Sequence, residues 1–87
     1  MAKYRVYIKK SAVKEMKQVP KSGLQRITRR IQSLCENPRS LGIEKLSAGE
    51  RYRLRQGDYR IIYYVEDENG LVCIVKIGHR REVYKKM

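Results

Sequence analysis

The sequence predicts an α+β fold: a small antiparallel β-sheet with two N-terminal helices packed on one face. Three observations carry this. Residues 51–65 alternate on both sides of Gly57-Asp58, the pattern of a two-stranded hairpin. Between residues 12 and 34 apolar side chains recur at helical spacing, in two runs separated by Pro20. Residues 71–77 form a nearly continuous apolar run, expected of a strand near the middle of a covered sheet.

Taken in order, residues 3–9 alternate and form a first strand, with Tyr4, Val6 and Ile8 facing the core. Ser11 is placed to cap a short helix whose apolar positions are Ala12, Val13, Met16 and Val19. Pro20 ends that helix or begins the next. Ser22-Gly23-Leu24-Gln25 fits a capping box, and Leu24, Ile27, Ile31 and Leu34 make one apolar stripe. Asn37-Pro38 stops the second helix. Residues 39–50 form a connecting loop, with Ile43 and Leu46 folding back onto the core. The hairpin follows, then a turn at Asp67-Glu68-Asn69-Gly70, then the apolar strand, broken by Gly78. Strands joined by short turns pair antiparallel.

Alternation divides the hairpin into two faces. Tyr52, Leu54, Tyr59, Ile61, Tyr63 and Val65 fall on the apolar face. Arg51, Arg53 and Arg55 fall on the other, and across the turn Arg60 shares a face with Ile62 and Tyr64. A row of fixed cations repels itself, so a polyanion is its natural partner.

The 87 residues make one domain, 1–87, with a small core. Net charge is +12, from 21 basic against 9 acidic residues. Charge alone leaves nucleic acid, an anionic membrane surface and an acidic protein open as partners. No apolar run reaches the length of a membrane span. The alternating, charged N-terminus lacks the apolar segment of a signal peptide, so a cytoplasmic protein is expected. Cys35 and Cys73 belong to separate elements and have no metal-ligand spacing, which predicts two buried free thiols. With one histidine, neither a metal nor another cofactor is expected.

Cleavage of RNA through the neighbouring 2′-hydroxyl needs cations for the charge that builds on the phosphate oxygens, and groups that move two protons. Arginine suits the first task because its planar fork grips two oxygens. Arg51, Arg53, Arg60, Arg80 and Arg81 supply it if the basic tail folds beside the hairpin. For proton transfer the candidates are His79 and Tyr84. A ring of arginines would favour the Tyr84 phenolate and so lower its pKa from about 10. Each has a plainer reading: the arginine row as a solvated face or a protein contact, Tyr84 as a packing tyrosine, His79 as a turn residue. Tyr64, on the arginine face, is a better base-stacking candidate than Tyr52, Tyr59 or Tyr63.

The segment Tyr52-Arg53-Leu54-Arg55-Gln56-Gly57-Asp58-Tyr59-Arg60-Ile61-Ile62-Tyr63, with Gly78-His79-Arg80-Arg81-Glu82-Val83-Tyr84, resembles the RelE toxins of the RelE/ParE superfamily. Tyr4-Arg5-Val6-Tyr7-Ile8 and the Asn37-Pro38 helix end also fit, so the resemblance covers essentially the whole chain. It implies an mRNA interferase that enters the ribosomal A site and cuts the codon there, leaving a 2′,3′-cyclic phosphate and a 5′-hydroxyl. It also implies an acidic antitoxin that masks the basic surface. By position, Arg60, Arg80 and Tyr84 correspond to the family's catalytic residues. Arg51, Arg53, Arg55, Tyr64, His79 and Arg81 are the remaining RNA-binding candidates. Arg51 and Arg53 stand where described members carry lysines, which keeps the charge and moves the acid–base role toward Tyr84. Two other functions fit the same residues: a ParE-like inhibitor of DNA gyrase, and a non-catalytic RNA-binding module.

Overall fold

The computed structural model describes residues 3–40, 42–46, 49 and 51–79. Seven elements follow one another: β1 (Arg5–Ile8), α1 (Lys10–Met16), α2 (Lys21–Ser33), β2 (Glu44–Lys45), β3 (Arg51–Gln56), β4 (Tyr59–Glu66) and β5 (Leu71–His79). The strands make one sheet in the order β1-β5-β4-β3-β2.

The α+β class and the two helices agree with the sequence. The sheet, however, is mixed. The ladders β2–β3, β3–β4 and β4–β5 are antiparallel, whereas β1 lies parallel to β5 with Tyr7 opposite Cys73. The reason is topological. Short turns force an antiparallel return, but β1 leads into helices and has no such turn to its neighbour. The stretch expected to be a loop also contributes β2, whose two residues pair with Arg53 and Tyr52. Ile43 packs against the core as expected, and Leu46 is half-buried.

Neither predicted side-chain cap forms. Lys9 ends the β1–β5 ladder by donating its N–H to Ile74 O, and its own carbonyl accepts the first α1 bond from Val13. The helix therefore starts at Lys10, before Ser11 can cap it. Pro20, with φ −54, sets the entry to α2, and its carbonyl accepts from Leu24. That starts α2 ahead of Ser22.

The core lies between the helices and one face of the sheet. Ala12, Ile27, Ile31 and Leu34 pack against Tyr52, Leu54, Ile61, Tyr63, Val65, Val72, Ile74 and Ile77. The hairpin turns at Gly57, whose φ of 59 is followed by a residue outside the positive-φ region, the pattern of a type II′ turn. At Gly23, a Cβ would lie 3.3 Å from Val19 Cγ1 and 3.8 Å from the Tyr59 ring. Glycine there lets the start of α2 approach the end of the hairpin.

Candidate functional site

The face of the sheet away from the helices carries the arginines. Register arranges it in transverse rows. Arg55 lies opposite Arg60, and Arg60 opposite Gly78. The next row runs Glu44, Arg53, Ile62, Lys76, and a further one Arg51, Tyr64, Cys73, Tyr7. The hairpin thus brings Arg51, Arg53, Arg55, Arg60 and Tyr64 together on one face, as the alternation predicts.

The four arginines are not equivalent. Arg51 and Arg55 are exposed. Arg53 donates to Glu44 Oε2 at 2.7 Å, and this hydrogen bond and its charge hold the Glu44 carboxyl below the usual range. Arg60 is buried, with 3% of its surface accessible. Its Nη1 donates to Tyr59 O at 3.1 Å and Gly57 O at 3.4 Å. Two like charges directly opposite oppose pairing, and these carbonyls offset the repulsion from Arg55. The sequence pattern gave Arg60 its face but not its burial.

Ile62 and Cys73, 7% and 2% exposed, are buried on this face, apart from the helix-side core. Cross-strand neighbours of Ile62 are Arg53 and Lys76, and long basic side chains shield apolar neighbours with their stems. Cys73, its partner across the strands, raises the Tyr64 phenol above its ordinary pKa. Both cysteines are free, but only Cys73 is buried; Cys35 is half-buried, a correction to the expected pair of buried thiols.

His79 is not brought to the arginine face. It pairs with Tyr59, and the two rings meet edge-to-face with centroids 5.8 Å apart. There it lines a cavity of about 440 Å³ with Glu15, Gln18, Val19, Ile77 and Gly78. Arg80, Arg81 and Tyr84 lie outside the described residues.

Two polar clusters escape the sequence patterns. Past the end of β1, the edge of β5 is closed by Glu15 of α1, which accepts from Ile77 N at 3.0 Å and pairs with Lys76. A lone lysine inside an apolar strand needs such a partner, so Lys76 was the available signal. The second cluster centres on Arg39. It forks onto both Asp67 oxygens at 3.1 and 2.9 Å, and its Nε donates to Tyr52 OH at 2.7 Å. Tyr4 OH also donates to Asp67, at 2.8 Å. Arg39, and secondarily Tyr4, hold the Asp67 carboxyl below its usual range.

A carboxylate with a depressed folded pKa contributes stability above its unfolded pKa of about 4, lost as pH falls through the lower folded value. Asp67→Asn lacks the ion pair at every pH. Thermal melts from neutral pH to about pH 2 are therefore expected to fall less steeply for Asp67→Asn than for the wild type. Parallel curves would show that Asp67 contributes nothing to acid unfolding.

A mixed sheet with two helices on one face and clustered arginines on the other defines a small α+β domain with a basic sheet face. The chain matches the family model described as the ParE toxin of type II toxin-antitoxin system, parDE, over residues 4–84. It is 32% identical over 87 residues to the RelE1 toxin candidate of Methanocaldococcus jannaschii, covering 95% of this chain and 97% of that protein. A chain in the RelE–RelB complex from Pyrococcus horikoshii has a TM-score of 0.79 at 33% identity, covering 90% of this chain and 96% of the other. A chain in the RelB–RelE antitoxin–toxin complex from Methanococcus jannaschii has a TM-score of 0.75 at 29% identity, with 93% and 98% covered. The chain belongs to the RelE/ParE family of type II toxin–antitoxin toxins.

Proposed function

We propose that this toxin is a ribosome-dependent endoribonuclease that cuts mRNA in the A site, leaving 2′,3′-cyclic phosphate and 5′-hydroxyl ends. The observation that carries this is the sheet face where Arg51, Arg53, Arg55 and Arg60 interleave with Tyr64, on a chain of net charge +12. In the reaction the 2′-oxygen attacks phosphorus, the P–O5′ bond breaks, the 2′-proton goes to a base and the 5′-oxygen receives a proton. Arg60 and Arg80 stabilise the charge on the phosphate oxygens, commonly the largest catalytic contribution. Tyr84 takes the 2′-proton. Arg51, Arg53, Arg55 and Arg81 hold flanking phosphates. Such a substrate places the protein in the cytoplasm, and an acidic antitoxin covering Arg51, Arg53, Arg60 or the tail would silence it.

Binding to RNA or ribosomes is expected to weaken steeply between low and moderate salt, because each phosphate contact releases a counterion. Affinity that stays flat would remove the phosphate-dominated surface. The family match to ParE favours a second reading, inhibition of DNA gyrase by protein contact. Induced expression followed by mapping of mRNA ends, run beside a gyrase supercoiling assay, separates the two. New 5′-hydroxyl ends within codons support the nuclease. Blocked supercoiling with intact mRNA supports the inhibitor.

A further inference from the structure

We propose that Tyr7 and Tyr64 form a seat for two unpaired bases of single-stranded RNA, beside the arginines and separate from the residues assigned to cleavage. This deepens the nuclease reading by giving the toxin a subsite for nucleotides that flank the scissile phosphate.

The two rings share one transverse row. Tyr7 on β1 is opposite Cys73 on β5, and Cys73 is opposite Tyr64 on β4. All three lie on the face away from the helices, because their neighbours Val6, Ile8, Val65 and Val72 pack in or against the core. Two strand spacings separate the tyrosine backbones, about 10 Å. Cys73 between them is too small to stand as high as a ring.

Among the described residues, Tyr7 alone is a large apolar side chain left mostly exposed, at 54%. A tyrosine in that position adds little to the core and offers an open ring face. The surroundings select the occupant. Arg51 is opposite Tyr64 at one end of the row, and exposed Arg5 precedes Tyr7 by two positions on the same face. Aromatic rings bordered by arginines suit a chain of flat bases joined by phosphates, and stacking of this kind tolerates any base. Along β4 the row is four residues from Arg60, about 13 Å. One strand of RNA can therefore run along the sheet from the tyrosines to the Arg60 position of β4.

The test measures binding of the full chain to a single-stranded RNA heptamer and, in parallel, to heparin and poly-glutamate, polyanions without bases. Tyr7→Leu and Tyr64→Leu keep an apolar side chain and remove the ring; Tyr7→Phe and Tyr64→Phe keep the ring. Each leucine variant is expected to bind the RNA about five- to a hundredfold more weakly, and each phenylalanine variant close to the wild type. The salt slope should stay unchanged in all four, because no phosphate contact is lost. Heparin and poly-glutamate affinities should also hold. Equal RNA affinity for the leucine and phenylalanine variants, with unaltered melting, would overturn the seat. So would equal weakening toward poly-glutamate, the mark of a charge or protein-docking surface, or no measurable heptamer binding by the wild type. Mapping of mRNA ends stands apart: a chain that binds RNA through these rings but cuts nothing loses the nuclease reading and keeps the seat.

Discussion

Replacing Arg60 with alanine is expected to slow cleavage of ribosome-bound mRNA about a hundredfold per folded molecule. A cation aimed at developing charge contributes on the order of 3 kcal/mol to the transition state. Arg60 is also buried and held by the carbonyls of Gly57 and Tyr59. Alanine therefore leaves a hollow at the hairpin turn, and part of the cost appears as a lower melting temperature. Removing the charge opposite Arg55 offsets some of it. Arg60→Lys separates the effects: it keeps the charge but loses the fork that engages two oxygens, so it should recover only part of the rate. A similar loss is expected for Arg80→Ala. Tyr84→Phe should abolish most cleavage while leaving ribosome binding intact if the phenol is the base. Unchanged rates per folded molecule in all three would make Arg60 a clamp of the turn and remove the catalytic assignment.

Tyr63→Ala is expected to cause the largest loss of stability. Its side chain is fully buried, stacks on Tyr52 with centroids 5.7 Å apart, and donates to Pro38 O at 2.6 Å. Burial pushes its phenol pKa far above the ordinary value, so the hydroxyl remains a donor throughout the physiological range. Truncating a large buried aromatic costs about 3–5 kcal/mol. In a domain of this size that corresponds to a fall in Tm of roughly 12–40 °C. Tyr63→Phe keeps the ring and leaves the buried Pro38 carbonyl without this donor, at a cost of about 1–3 kcal/mol. Thermal denaturation followed by circular dichroism checks both. A Tyr63→Ala protein that melts within a few degrees of the wild type would contradict this account of the core.

The hairpin was the most legible part of the chain. Period-two alternation on each side of Gly57 placed Tyr52, Leu54, Ile61 and Tyr63 in the core and the arginines opposite. Local pattern also located both helices and the turn ending at Gly70. Three features were hidden for physical reasons. The direction of β1 depends on which sheet edge it reaches after folding, and no local turn encodes that. The burial of Arg60, whose guanidinium meets the Gly57 and Tyr59 carbonyls, belongs to the folded sheet and is not encoded in face alternation. The Glu15–Lys76 and Arg39–Asp67 contacts join residues far apart in sequence, so periodicity is blind to them. His79 shows the limit of reasoning by proximity in sequence. It follows Gly78, whose position faces Arg60, yet one step along the strand turns its ring to the helix side.

The central claim, that this toxin cuts mRNA on the ribosome, is tested most directly with purified components. Programmed ribosomes carrying a defined A-site codon are mixed with the folded toxin, and the mRNA ends are mapped and their chemistry determined. The expected result is a cut within that codon, a 2′,3′-cyclic phosphate on the upstream fragment, a 5′-hydroxyl on the downstream one, and no cleavage of the same mRNA without ribosomes. Intact mRNA at full ribosome occupancy by the toxin would contradict it.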